Sequence, residues 1–294
     1  MSHTERSSKI SQPLGITRCQ SKEFRWGERT YIMGIINVTP DSFSGDGLGS
    51  DVASALAQAK RFQQEGADII DVGGESTRPG SSPVSANEEL RRVIPVLERL
   101  AAEITLPISI DTYKSDVARR AVEAGATMLN DIWGLKKDPR LADVSAKKGL
   151  PLILMHNQEG TSYQAFIPEV IASLKQSLKL ALDRGVTWEN LIIDPGIGFG
   201  KTLEQNLEIM HRLEEFKTLG RPILLGTSRK SVIGRVLNLP PQELLEGTAA
   251  TVAIGIAKGA DIVRVHDVAQ MVRVCRMSDA IIRETRHAGL PPTL

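Results

Sequence analysis

Eight short aliphatic runs in this sequence each end on, or just before, a side chain able to bind or move a proton: Asn37; Glu75 with Thr77 and Arg78; Asp111; Asn130 with Asp131; His156; Asp194; Ser228 with Lys230; and Arg264 with His266. Arg264 and His266 stand two apart, so an extended chain turns them the same way and sets a guanidinium beside an imidazole, which is the makings of an anion site. An Arg paired with a nearby carboxylate and a His satisfied by backbone would leave the same pattern, and the residues alone hold those two readings level. Asp111 and Asp194 are acceptor-only when ionised, so two of them facing one mouth suit a ligand rich in N–H donors or a proton-handling step; either alone could equally be a partner for Arg or Lys. Two Gly-rich stretches carry hydroxyls, an amide and an Arg: Asn37-Val38-Thr39-Pro40-Asp41-Ser42-Phe43-Ser44-Gly45-Asp46-Gly47 and Gly73-Gly74-Glu75-Ser76-Thr77-Arg78-Pro79-Gly80-Ser81-Ser82. They suit a phosphate or pyrophosphate, with Phe43 and Pro79 placed to close over an aromatic group. Composition alone would still favour two solvated loops.

These groups need elements that converge. The runs are Tyr31 to Asn37, Asp68 to Gly73, Pro107 to Asp111, Thr127 to Asp131, Pro151 to His156, Leu191 to Asp194, Pro222 to Gly226 and Asp261 to His266, each followed by a longer stretch with helical spacing. Near-continuous apolar runs mark strands buried on both faces, as in parallel sheets covered by helices. Eight strand–helix units predict a single (β/α)8 TIM barrel, whose active site is built at the C-terminal ends of the strands. Ser85 with Glu88 and Thr202 with Gln205 have capping-box spacing. Pro240 and Pro241 split the region before the last strand into two helices, the second from about Gln242 to Lys258. Phe24 to Gly27 and Glu28 to Ile32 are expected to form an N-terminal β-hairpin plugging the barrel floor. Residues 1–20 are expected to be a disordered tail and residues 21–294 one catalytic domain.

Composition removes several classes of function. The 294 residues carry 36 Lys plus Arg against 35 Asp plus Glu, a formal net charge of +1 that offers no electrostatic footprint for nucleic acid or an anionic membrane surface. With 41% hydrophobic and 24% charged residues the chain is too apolar for disorder and too interrupted by charge for a membrane span. Cys19 and Cys275 lie in no redox motif and cannot form a disulfide framework or a multi-thiolate site, which points to a reducing compartment, and the first dozen residues lack a secretory apolar segment; together these predict a cytoplasmic protein. Gly200-Lys201-Thr202 imitates the end of a phosphate-binding loop, but Pro195 stands where that motif needs its first glycine; the same stretch fails the dinucleotide fingerprint at Lys201. His3, His211 and His287 fall in a tail or on helices, and no histidine pair has zinc spacing. The metal this sequence could support is Mg2+, held mainly by substrate phosphates with one oxygen ligand from Asn37.

Taken in order, several segments are similar to those of the dihydropteroate synthases, a family of pterin-binding enzymes. They are Gly34-Ile35-Ile36-Asn37-Val38-Thr39-Pro40-Asp41-Ser42-Phe43-Ser44, Asp71 to Gly80, Ser109-Ile110-Asp111-Thr112, Asn130-Asp131-Ile132, Asp194-Pro195-Gly196-Ile197-Gly198-Phe199-Gly200-Lys201, Gly226-Thr227-Ser228-Arg229-Lys230-Ser231 and Arg264-Val265-His266-Asp267. The resemblance runs from about Tyr31 to Asp267. It implies a transferase of folate biosynthesis that joins 4-aminobenzoate to 6-hydroxymethyl-7,8-dihydropterin pyrophosphate with Mg2+, releasing pyrophosphate. It also implies that Asp111, Asn130, Asp194 and Lys230 line the pterin pocket with Met155 packed nearby, and that Asn37, Arg264 and His266 hold pyrophosphate and metal together with Thr77 and Arg78. Ser228, Lys230, Phe43, Pro79 and Phe199 resemble the aminobenzoate subsite, where sulfonamides would compete. On this reading Asp111, Asp194, Lys230, Arg264 and His266 carry the chemistry.

Three other readings compete. A corrinoid-linked, pterin-dependent methyltransferase shares barrel and pterin pocket but needs neither the Asn37 to Ser44 loop nor the Ser228 to Ser231 turn. A Schiff-base aldolase could use Lys230, and a noncatalytic pterin-binding protein would keep the pocket while losing the loops. The resemblance further implies a homodimer through the late helices. The apolar spacing of Val268, Met271, Val272, Cys275, Ile281 and Ile282 allows that, and packing against the barrel explains it equally well.

Overall fold

The computed structural model describes residues 14–38, 48–75 and 83–283. A hairpin of β1 (Ile16–Cys19) and β2 (Lys22–Arg25) precedes β3 (Tyr31–Asn37), α1 (Leu48–Glu65), β4 (Ile69–Gly73), α2 (Ala86–Glu103), β5 (Ile108–Asp111), α3 (Ser115–Glu123), β6 (Met128–Asp131) and α4 (Leu141–Lys148). There follow β7 (Leu152–Met155), α5 (Phe166–Asp183), β8 (Leu191–Asp194), α6 (Leu203–His211), β9 (Leu224–Leu225), α7 (Ser231–Leu237), α8 (Leu245–Ala257), β10 (Ile262–Val265) and α9 (Val268–Ile282). β3 to β10 form one parallel sheet in the order β8-β7-β6-β5-β4-β3-β10-β9, and a parallel bridge between Ile193 and Ile223 joins its two edges, so the expected eight-stranded barrel is nearly closed. The expected strands are all present, shorter by a residue or two at most ends. Among the described residues no helix is long and apolar enough to cross a membrane.

Side chains alternate across each strand, and the two sets enter different cores. Ile32, Ile36, Ile70, Val72, Leu129, Leu154, Ile193 and Val263 join the layer between sheet and helices. Tyr31, Met33, Ile69, Met128, Ile153, Ile192, Leu224 and Ile262 point inward and meet the hairpin's Cys19, Phe24 and Trp26 at the barrel floor. Two residues further along the same inward rows come Asp71, Asn130, Met155, Asp194 and Arg264. The alternation that seals the floor therefore also places the polar groups at the mouth. Gly34 is required on β3 because a Cβ there would stand 2.6 Å from Cδ2 of Phe62.

The plug itself differs from expectation. The hairpin pairs Ile16–Cys19 with Lys22–Arg25, turning at Gln20 in the left-handed region (φ 54°), instead of folding Phe24–Gly27 onto Glu28–Ile32. The stretch expected to be a tail up to residue 20 thus contributes a strand. Aromatic residues form its packing face: Phe24 and Trp26 stack at 5.5 Å, Tyr31 sets its edge against both, and Trp26 Nε1 donates to Thr17 Oγ1 at 2.9 Å. At α6 the capping box of Thr202 and Gln205 is complete. At α2 only half of one forms, because Ser85 accepts from Glu88 N at 3.2 Å while the Glu88 carboxylate is drawn to Arg91 and Arg92. Between α7 and α8 the two prolines produce the expected break, with a single 3-10 turn at Pro241–Glu243.

Candidate active site at the mouth of the barrel

Three groups of side chains meet at the C-terminal ends of the strands. The first crosses the barrel interior. Arg264 on β10 donates from Nε to Asp71 Oδ2 at 2.6 Å and from Nη2 to Asp111 Oδ2 at 2.8 Å, and Asn130 Nδ2 donates to Asp71 Oδ2 at 3.2 Å. The ion-pair reading of Arg264 is therefore present in the fold. A guanidinium has five N–H donors, so these two bonds leave part of it available for an anion as well. Burial works against the charge on Arg264, yet the Asp71 and Asp111 carboxylates overcome it and its pKa is raised. Burial also pushes the Asp111 carboxyl up, against the pull of Arg264 and with added repulsion from Asp71. Asp71 Oδ1, Asp111 Oδ1 and Ser109 Oγ are buried without a hydrogen-bond partner among the described residues.

The second group surrounds the turn after β8. Asp194 Oδ1 accepts from Gly196 N at 2.7 Å, and burial raises its carboxyl against the opposing influence of Lys230. Lys230 donates from Nζ to the Ile197 carbonyl and lies 4.7 Å from the centre of the Phe199 ring. Burial pushes its amine down to about 8, with Asp194 opposing. Lys201 donates to the carbonyls of Gly196 and Phe199 at 2.9 and 2.8 Å and meets His156 Nδ1 at 2.9 Å. Burial, joined by the Lys230 and Lys136 charges, lowers Lys201 to about 7 although Asp194 pulls it up. Burial and the Lys201 charge push His156 down to about 2, so its ring is neutral. Met155 is buried at the end of β7, beside Asp194 in register.

The third group joins the turn after β9 to the end of β10. Ser228 Oγ and His266 Nδ1 share a hydrogen bond at 3.0 Å. Arg229, in the left-handed region (φ 56°), grips Asp267 with two N–H groups at 2.6 and 3.0 Å and so ties this turn to β10. Asn37 ends β3 half-buried at the rim. Phe43, Thr77, Arg78 and Pro79 lie outside the described residues. Among the described residues no cluster of three or more His, Cys, Asp or Glu could hold a metal. Asn37 offers one amide oxygen at the rim, a hard donor of the kind Mg2+ takes.

The structure thus brings Asp111, Asn130 and Arg264 together through a residue the sequence reading passed over, Asp71. Its signal was legible, since it is an acid inside the apolar run Ile69-Ile70-Asp71-Val72 and on the inward row. Lys201 was also missed: it stood in a false nucleotide motif and in a segment similar to the family's, but was given no role.

The pterin binding enzyme family matches this chain over residues 33–266. The dihydropteroate synthase of Clostridium beijerinckii is 56% identical over 264 residues, covering 90% of this chain and 98% of that protein. Among solved structures, the dihydropteroate synthase of Clostridium difficile in the presence of pteroic acid superposes with a TM-score of 0.87 at 54% identity, covering 89% of this chain and 100% of that one. The Xanthomonas albilineans dihydropteroate synthase with 4-aminobenzoic acid gives a TM-score of 0.86 at 41% identity, covering 90% and 97%.

Proposed function

The chain belongs to the pterin binding enzyme family, and from that premise we propose that its barrel mouth is a dihydropteroate synthase site, transferring the pterin methylene of 6-hydroxymethyl-7,8-dihydropterin pyrophosphate to the amine of 4-aminobenzoate. The observation that carries this reading is the surplus of buried acceptors: Asp71 and Asp111 share one guanidinium, the Asp194 charge also acts on it, and one oxygen each of Asp71 and Asp111 lacks a hydrogen-bond partner among the described residues. A buried polar atom left unmade costs about 1–3 kcal/mol, so such a mouth favours a flat heterocycle with adjacent N–H groups.

Asp194 accepts from the pyrimidine edge, Asn130 supplies donor and acceptor beside it, and Met155 packs against the ring. As pyrophosphate leaves, positive character grows on the methylene and is offset by Asp111, while Arg264 and His266, with Thr77 and Arg78, receive the departing anion. Asn37 would hold Mg2+ through its amide oxygen, and the metal, when bound, would supply further charge neutralisation to the leaving group. The arylamine lies against Phe199, Ser228 and Lys230, and the family resemblance adds Phe43 and Pro79 to this subsite. It is a neutral nucleophile, so no activated Ser, Cys or Lys is needed. Sulfonamides, which share the arylamine, compete there.

Two copies pair through α8 and α9. Of the six apolar positions expected to serve, Val268, Met271, Val272 and Cys275 are buried in the core, and the contact falls to Ile281 and Ile282 with Ile254 and Met277, all exposed. The free thiols of Cys19 and Cys275 favour the cytoplasm. Mass spectrometry of the product tests the reading: 7,8-dihydropteroate should form only when both substrates are supplied, and its absence from a folded, Mg2+-supplied enzyme overturns it.

A further inference from the structure

The turn from Asp194 to Lys201 is built around a cation of its own. Gly196, Gly198 and Gly200 all adopt left-handed backbone (φ 74°, 83° and 56°), which winds the carbonyls inward. A Cβ on Gly196 would meet the His156 carbonyl oxygen at 1.9 Å, so the turn lies directly against the end of β7. Lys201 Nζ reaches Gly196 O at 2.9 Å, Phe199 O at 2.8 Å and His156 Nδ1 at 2.9 Å. An ammonium has three donors, and here it meets three close acceptors; the imidazole can accept only because His156 is neutral. The other polar atoms of the turn are also engaged: Lys230 donates to Ile197 O, Tyr163 Oη to Gly200 O at 2.7 Å, and Gly198 N to Asn206 Oδ1 at 2.6 Å.

The turn ends in Phe199, whose ring faces the Lys230 ammonium at 4.7 Å. Asp194 depends less on the turn: its carboxylate takes one bond from it, Gly196 N at 2.7 Å, but its backbone is held by the β8–β7 ladder and by His156 N, which donates to its carbonyl at 2.8 Å. We propose that Lys201 is a positioning residue: its Nζ is the internal hydrogen-bond donor around which the turn is wound, and by fixing the turn it holds Phe199 and Lys230 as the two walls that receive the arylamine. Lys201 itself touches neither substrate. This rests on the arylamine subsite assigned above.

The consequence is a split between substrates. Lys201→Met keeps most of the length of the side chain but leaves Phe199 O and His156 Nδ1 without their Lys201 donor, and Gly196 O with only the backbone N–H of Phe199 at 3.2 Å. The turn loosens, and the wall it carries moves while the β8 carboxylate stays. The KM for 4-aminobenzoate should rise about 10- to 100-fold, and the Kd of a pterin analogue measured by calorimetry should change by less than about threefold. Lys201→Gln retains two N–H donors and should recover part of the loss. It also carries the same comparison if Lys201→Met does not fold, as judged by circular dichroism and a thermal melt. An arylamine KM within twofold of wild type in a folded variant overturns the inference, as does a loss shared equally by both ligands, which is what general loosening of the barrel would give. The wild-type enzyme is the control for the underlying reading: if it shows no turnover dependent on 4-aminobenzoate, the subsite assignment fails, whereas an active wild type with normal Lys201 variants removes the role of Lys201 alone.

Discussion

Asp194→Asn separates binding from stability, because the same substitution acts on the two in opposite directions. The carboxylate accepts from Gly196 N at 2.7 Å and is buried at the end of β8. The variant's amide oxygen can keep that bond, which turns its NH2 toward the N–H edge of a bound pterin. Losing a charge-assisted acceptor costs about 1.5–3 kcal/mol, and opposing two buried donors adds about 1–3 kcal/mol. A combined loss of about 2.5–6 kcal/mol corresponds to roughly sixty- to twenty-thousand-fold weaker binding. Stability should move the other way. Burial raises the Asp194 carboxyl; such a group holds its proton in the folded state where the unfolded chain has released it, so stability falls as pH climbs from the ordinary carboxylate range through the raised value. At neutral pH its charge is a cost to the fold, and the variant removes it. Calorimetric titration with a pterin analogue, paired with thermal melts across pH, should therefore show binding nearly abolished and a Tm equal to or above wild type. Near-unchanged affinity, or a Tm several degrees lower, would refute the argument and make Asp194 part of the scaffold.

Trp26→Ala removes an aromatic from the barrel floor and should cost about 3–5 kcal/mol in urea denaturation while leaving both KM values within about twofold, since the floor lies at the opposite end from the site. Gly34→Ala forces a Cβ against the Phe62 ring and should lose about 1–3 kcal/mol by the same assay; no loss would mean Phe62 can swing away. Met277→Glu combined with Ile281→Glu places charge on the exposed apolar face of α9, and sedimentation should show monomers in place of dimers.

The barrel was legible because each parallel strand is a short aliphatic run closed by a polar residue, and β3 and β8 were legible to their ends. β9 was the poorest match, since the sheet holds only Leu224 and Leu225 of the run Pro222 to Gly226. The hairpin was misplaced because its strands, Ile16-Thr17-Arg18-Cys19 and Lys22-Glu23-Phe24-Arg25, are only four residues each and show no alternation of polar and apolar residues that would mark them. In the site, Asp111, Asn130, Asp194 and Arg264 stood out by their places at strand ends, and in the fold they lie at the ends of β5, β6, β8 and β10. The pairing of Arg264 with Asp71 could not be read, because it depends on which rows meet across a closed barrel, and strand spacing alone does not set that register. Lys201 escaped for a related reason: its partners Gly196 and Phe199 are near in sequence, but His156 comes from another strand.

The central claim is a condensation in which leaving group and nucleophile are linked. Continuous measurement of pyrophosphate release, with dihydropterin pyrophosphate and Mg2+ present and 4-aminobenzoate varied, tests it most directly. The account predicts negligible release without the arylamine, saturable release as it is added, and one pyrophosphate for each arylamine consumed. Release at full rate without 4-aminobenzoate, or none with both substrates present, would contradict it.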